Sequence, residues 1–210
     1  MRSDSITTHI FERIKSGGHE NIYIVGDFID LGEYHAVRRA LLRLEESGKI
    51  QKIMRGVFYY PRYSYLLDEF ESPSPDKVAE TLARKFGWTI APCGDTALNQ
   101  LGLSTQVPAK WSYISDGPYH KFKIETAVIE FKHRSNREIS GISKRTAVVI
   151  QAIKAIGERN ITEKHIDIIR RRLSDDEKKC ILDEAKRAPM WVYGIIKKCC
   201  LLYTSPSPRD

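Results

Sequence analysis

The chain has 210 residues, of which 41% are hydrophobic and 29% are charged, a balance typical of a folded protein of one or two domains. No apolar run is long enough to span a membrane and no apolar signal region begins the sequence, so we expect a cytoplasmic protein without a membrane partner. The net charge is +7, and residues 33–62 hold seven basic against three acidic side chains. Such an excess is typical of anionic partners, although a solvated basic surface has the same composition.

Four elements and a hairpin are predicted in the first 66 residues from apolar periodicity and glycine positions. In chain order they are a helix over 4–16, a strand that begins at Asn21, a short helix over 26–31, and a third helix over 33–47. A hairpin follows, made of Ile50–Met54 and Val57–Tyr60 about Arg55-Gly56. Three helices and a hairpin in this order predict a winged helix-turn-helix domain over residues 1–66.

The third helix has one apolar face, because Val37, Leu41 and Leu44 recur at helical spacing. Burial of that face turns the basic and aromatic side chains of the helix outward, where they could enter a DNA major groove. Lys52 and Arg55 of the hairpin could reach the phosphate backbone or the minor groove. The predicted DNA-binding residues are therefore Tyr34, His35, Arg38, Arg39, Arg43, Lys52 and Arg55. The alternative is a protein-interaction module with solvated arginines.

A second domain is predicted over residues 72–200, after an acidic, proline-containing linker over 68–76. A helix begins at Pro75 and ends near Phe86, and "WTIAP", "WSYIS", "HKFKIE" and "AVIEFKH" predict strands of a small antiparallel sheet. Helices are predicted over 95–101, 141–156, 162–172, 174–187 and 190–198. The fold class is thus α+β, with C-terminal helices after the sheet. Residues 201–210 continue no helix and are predicted to be a foreign or disordered tail.

Several stretches together resemble one known family. They are "RGVFYYPRYS", then "SPDKVAETLARKFGWTIAPCGDTALNQLGLSTQVPAKWSYISDGP", and "IEFKH". The chain is similar in these stretches, over roughly residues 5–160, to the AbiEi-like antitoxins of bacterial abortive-infection, type IV toxin–antitoxin systems. The combination of "RGVFYYP" with "ALNQLGLSTQVP" carries the resemblance.

The resemblance implies two activities. The winged helix would bind repeats of double-stranded DNA in the promoter of its own operon and repress transcription. The second domain would counter a nucleotidyltransferase toxin without forming a stable complex with it. The first activity maps onto the seven DNA-binding residues named above, whereas no residue motif in the second domain carries the antitoxin activity.

The sequence lacks the common catalytic and metal-binding motifs. The sequence has no H-E-x-x-H, no G-x-S-x-G, no glycine-rich phosphate loop and no Cys-x-x-Cys pair, so we predict neither enzyme activity, nor a cofactor, nor a metal. One alternative remains open, because Asp116, Glu130 and Lys132 have the residue types of a metal-dependent nuclease. Against it, Asp116 lies in an Asp-Gly-Pro turn, and Glu130-x-Lys132 fits the solvent face of a strand equally well.

Overall fold

The computed structural model describes residues 5–124, 127–134 and 139–201. The chain divides into two compact units, Met1–Gly87 and Trp88–Asp210. Apart from Leu201, the predicted tail lies outside the described residues. None of the helices in the described ranges is long and apolar enough to cross a bilayer.

The first unit contains the predicted winged helix. Its elements are α1 (Ile6–Gly17), β1 (Ile22–Ile24), a 3₁₀ turn (Val25–Phe28), α2 (Tyr34–Glu46), β2 (Gln51–Met54), β3 (Val57–Tyr59), a small hairpin of β4 (Tyr63–Ser64) and β5 (Glu69–Phe70), and α3 (Pro75–Phe86). The predicted second helix is thus a single 3₁₀ turn, and the β4–β5 hairpin was not predicted from the sequence.

An antiparallel sheet in the order β1-β3-β2 packs behind the helices. In its register Ile24 lies opposite Val57, so the turn after β2 is at the end of the sheet where β1 leads into the helices. The core between sheet and helices is apolar and closed, as the helical periodicity predicted. Its buried side chains include Ile10, Ile14, Phe28, Val37, Leu41, Leu44 and Phe58.

Helix α3 belongs to the first unit, whereas the sequence placed it in a domain that began at residue 72. The physical reason is its burial, because Val78 and Leu82 are fully buried and polar side chains of α3 bind the winged helix. Lys77 Nζ donates to the backbone oxygen of Glu20 at 3.2 Å. The proline-containing segment is therefore a connection inside the first unit.

The second unit contains a four-stranded sheet followed by four helices. Its elements are β6 (Ile90–Pro92), α4 (Asp95–Gln100), β7 (Lys110–Ser115), β8 (His120–Ile124), β9 (Ala127–His133), α5 (Lys144–Ile156), α6 (Glu163–Arg171), α7 (Asp175–Glu184) and α8 (Met190–Cys200). The α+β class is confirmed, and the predicted bounds of most of these elements agree with the observed ones to within a few residues.

The strand order is β6-β7-β9-β8. The pairs β6–β7 and β8–β9 are antiparallel, as predicted, but the central pair β7–β9 is parallel. The chain between β7 and β8 crosses the end of β9, where the backbone oxygen of Gly117 lies 2.9 Å from His133 Nδ1. This crossing places β8 on the far edge of the sheet and brings β7 beside β9 in parallel.

The C-terminal helices form their own apolar core, in which nearly every side of α5 is buried. The N-terminus of α5 is capped by Ser143, whose Oγ accepts from Thr146 N at 3.2 Å. Glu184 Oε2 in turn accepts from Ser143 N at 2.9 Å and from Ser143 Oγ at 2.7 Å. Burial alone would raise the pKa of Glu184, but donation from Thr146 and Ser143 outweighs burial and lowers the pKa to about 2.

Candidate nucleic-acid interface

Helix α2 separates an apolar face from a basic face. Val37, Leu41 and Leu44 are buried, as the periodicity predicted. Since successive residues turn by about 100° around a helix, the opposite face points to solvent. All five residues predicted on that face are exposed: Tyr34, His35, Arg38, Arg39 and Arg43.

The guanidinium groups of this face have few partners. Arg39 Nε donates to the backbone oxygen of His35 on its own helix, at 3.4 Å. Neither Arg38 nor Arg43 forms an ion pair with any residue in the parts of the chain that the structure describes. Their positive charge is therefore offered to solvent, which is the state expected of cations that bind an external anion.

The hairpin turn carries the other predicted cations. Lys52 and Arg55 are both exposed. Gly56 has a φ of 72°, a left-handed conformation that glycine adopts without the strain a side chain would cause. The pairing of Lys52 with Phe58 is followed by a register shift, so the turn is displaced from a regular hairpin.

Connectivity relates both groups of cations to the ends of the sheet in the first unit. Because Ile24 pairs with Val57, the turn at Arg55 lies at the end of the sheet from which the chain enters α2. Helix α2 ends at Glu46 and is joined by four residues to the start of β2, at the opposite end. Arg43, within one turn of the end of α2, thus lies toward the end of the sheet away from the turn.

The second unit holds the three residues of the alternative nuclease site, but not as a cluster. Asp116 Oδ1 accepts from Thr89 N at 2.8 Å. Glu130 lies opposite Ser112 in the register, so Asp116, one residue past the end of β7, is four residues farther along the chain, or about 13 Å away. Lys132 Nζ is 3.6 Å from Glu130 Oε2. Among the described residues no group of three or more His, Cys, Asp or Glu side chains could hold a metal ion.

The strand pattern allowed Glu130 to lie on a solvent-exposed face. The structure differs, because the side chain of Glu130 is only 3% exposed. Its oxygens lie 2.6 Å from Lys110 Nζ and 3.4 Å from Lys121 Nζ. Tyr119 donates its hydroxyl hydrogen to Oε1 at 2.7 Å. Burial alone would raise the pKa of Glu130, but these donors outweigh burial and lower the pKa to about 2.

Comparison with known proteins supplies a family. The model of a family of unknown function, DUF6088, matches residues 9–181, which is most of the chain. The chain belongs to DUF6088. No curated protein matches this DUF6088 chain. The match covers residues of both units, but the function of the family is unknown. The resemblance to AbiEi-like antitoxins and the predicted DNA binding therefore stay predictions.

Sequence reasoning missed two basic residues of this DUF6088 chain that lie beside the candidate interface. Lys85 Nζ donates to the backbone oxygen of Arg55 at 2.5 Å, and burial together with the charge of Arg55 lowers the pKa of Lys85. Arg84 binds the carboxylate of Asp27, which also accepts from Ile24 N at 2.9 Å. Both cations lie in the last turn of α3, and basic residues there are visible in the sequence. The sequence pattern, however, predicts this helix in the second domain.

Proposed function

We propose that the DUF6088 chain is a cytoplasmic DNA-binding regulator that represses its own promoter through the winged helix of its first unit. The observation that carries the proposal is the exposed face of α2, where Arg38 and Arg39 have no carboxylate partner in the described residues. The second support is the turn at Arg55, which lies at the end of the sheet where β1 leads into the 3₁₀ turn before α2. The proposal assigns no catalytic step to the chain.

The physical basis is a match of shape and charge. A DNA major groove about 12 Å wide admits one α-helix with its side chains. An arginine in the groove can donate two hydrogen bonds to the O6 and N7 atoms of guanine, which discriminates that base pair from the others. Lysine and arginine beside the groove bind phosphates without reading sequence, and they set the position of the helix. Arg38 and Arg39 suit the first role, and Lys52 and Arg55 the second.

The decisive experiment measures binding of the full chain to duplex DNA from the region upstream of its own gene, by fluorescence anisotropy over a range of salt concentrations. We expect tight binding to this duplex, much weaker binding to a duplex of the same composition in scrambled order, and a loss of affinity as salt rises. Equal binding to both duplexes would reduce the proposal to non-specific contact. An absence of salt-sensitive binding would remove it.

The resemblance of residues 74–118 and 129–133 extends the proposal to antitoxin activity, exerted by the second unit against a nucleotidyltransferase toxin. The test begins with the neighbouring genes, and a nucleotidyltransferase encoded there is co-expressed with the chain. We expect the toxin alone to arrest growth, and the full chain to restore it without co-purifying with the toxin. Growth arrest that persists in the presence of the chain would refute this half of the proposal and leave the repressor half intact.

A protein-interaction module is the second candidate, and the β4–β5 hairpin favours it. Tyr65 and Leu66 at its tip are 92% and 93% exposed. Tyr63 supports the tip, with its ring 5.2 Å from those of Tyr65 and Phe70 and its hydroxyl on Asp68. Exposed, braced apolar side chains are typical of contact surfaces. If Leu66→Ser abolished repression while DNA binding stayed unchanged, the hairpin would be the surface that acts.

A further inference from the structure

A compact group of cations lies on one face of the sheet in the second unit. We use the name lysine cluster for Lys110, Lys121 and Lys132, whose ammonium groups all lie within 3.6 Å of the Glu130 carboxylate. Their side chains are 46%, 52% and 42% exposed, so each can still donate toward solvent. Three positive charges therefore meet one negative charge, and two of the three are not balanced.

The strand register explains why these lysines converge. Lys121 of β8 lies directly opposite Glu130, and Lys132 is two residues along β9 on the same face. On the other side Ser112 of β7 pairs with Glu130, so Lys110 is again two residues away on that face. The position of β7 beside β9, with Ser112 opposite Glu130, is thus what brings Lys110 to the carboxylate. Lys123 follows Lys121 at the same spacing and is also exposed.

The arrangement is unsuited to a divalent cation, which is the ligand that the sequence pattern suggested. Both oxygens of Glu130 are occupied by ammonium groups or by the hydroxyl of Tyr119. An approaching metal ion would meet three positive charges before it reached the one carboxylate. An anion meets the opposite situation, because the lysines shield the buried carboxylate and present their remaining N–H donors.

We propose that the lysine cluster binds an oligophosphate group, carried by a nucleotide or free as an inorganic chain. The concentration of positive charge at one point of the sheet favours this class of ligand. The three ammonium groups meet at one carboxylate, and a short anion with several oxygens on adjacent phosphorus atoms can contact all of them at once. A nucleic-acid backbone spreads its charges along a path, as the cations of α2 are spread. This site does not depend on the proposed DNA binding.

The test is isothermal titration calorimetry of the full chain with inorganic tripolyphosphate, without magnesium. We expect saturable binding of one tripolyphosphate, with at least a tenfold loss of affinity in Lys121→Gln. Lys121 is the choice because Glu130 keeps Lys110 and Tyr119 in that variant. Lys164→Gln is the matched control, since Lys164 is an exposed lysine on α6 of the same unit, and we expect it to bind as the parent does.

A second variant tests whether a loss of affinity is caused by unfolding. The double change Lys121→Gln with Lys132→Gln removes two of the three ammonium groups and leaves Glu130 with Lys110 and Tyr119. We expect it to keep the parent's circular dichroism and to lose tripolyphosphate affinity at least tenfold. A parent that does not bind tripolyphosphate would overturn the proposal. So would equal affinity of the parent and Lys121→Gln, or an equal loss in Lys164→Gln.

Two further titrations distinguish the sources of the phosphate. Adenosine triphosphate that binds at least tenfold tighter than tripolyphosphate would identify a nucleotide site, whereas equal affinities would identify a site for the phosphate chain alone. Duplex-DNA binding that Lys121→Gln weakens, in a chain that binds neither small ligand, would contradict the proposal and assign the lysine cluster to nucleic acid. The two small-ligand titrations are independent of the test with the upstream duplex.

Discussion

The basic face of α2 and the lysine cluster of the sheet carry charge of the same sign in opposite arrangements. On α2 the guanidinium groups of Arg38 and Arg43 lie along an exposed helix and pair with no carboxylate among the described residues. On the sheet three ammonium groups surround the buried Glu130. The partner that a basic surface can bind therefore depends on where its carboxylates lie. Dispersed, unpaired cations suit a long polyanion, and focused, anchored cations suit a compact one.

The largest expected effect concerns acid stability, because the anchor of the lysine cluster should fail at low pH. The pKa of Glu130 is lowered from 4.5 to about 2 in the folded chain. A lowered carboxyl pKa stabilises the folded state above the unfolded value, and that contribution disappears as the pH falls from about 4.5 to about 2. The shift corresponds to about 3 kcal/mol of unfolding free energy for Glu130 at neutral pH.

Urea unfolding followed by tryptophan fluorescence measures this contribution in the second unit alone, because Trp88, Trp111 and Trp191 all belong to that unit. We expect the parent to be more stable than Glu130→Gln at pH 7 and the difference to vanish toward pH 2. Glu184 titrates over the same range in both proteins, so its effect cancels. A difference that stays constant with pH would show that the lysines are not anchored by the ionised carboxylate.

The next effect tests the dispersed cations. We expect Arg38→Ala or Arg39→Ala to weaken binding to the upstream duplex by about 1–3 kcal/mol if the residue reads a guanine. The measurement is an anisotropy titration at fixed salt, with Arg159→Ala as an exposed arginine control in the other unit. If both helix variants bind as the parent does, α2 is not in the DNA interface. The dispersed cations of α2 would then not be a surface for a long polyanion.

A smaller effect is expected at the hairpin turn. Arg55→Ala removes a charge that would contact phosphate, so the affinity for specific and scrambled duplexes should fall together, by less than about 1 kcal/mol. The slope of log affinity against log salt should decrease in magnitude by about one. A loss confined to the specific duplex would instead assign base recognition to the turn.

The smallest effect is expected at the far end of α2. Because Arg43 lies away from the turn, Arg43→Ala should change binding by no more than about 0.5 kcal/mol. A loss as large as that of Arg38→Ala would mean that the whole length of α2 contacts the duplex. The three arginine variants together thus measure how far along the helix the interface extends.

The winged helix was predictable because burial of Val37, Leu41 and Leu44 requires a helix whose other face is exposed. The assignment of α3 was not, since its apolar face shows that the helix is buried without showing which unit buries it. The strand pattern Glu130-x-Lys132 is compatible with a carboxylate that faces solvent and with one that is buried beneath lysines. Only the parallel pairing of β7 with β9 decides between these states, and nothing in the sequence specifies that neighbour.

Helix α3 has a practical consequence for anyone who expresses the DNA-binding half by itself. A fragment cut at residue 66 or 72 would lack Val78 and Leu82, and the apolar patch they cover would face water. It would also lack Arg84 and Lys85, which tether Asp27 and the loop at Arg55. The shortest self-sufficient fragment should therefore extend to Gly87, and shorter ones should aggregate or bind poorly for reasons unrelated to the groove-facing side chains.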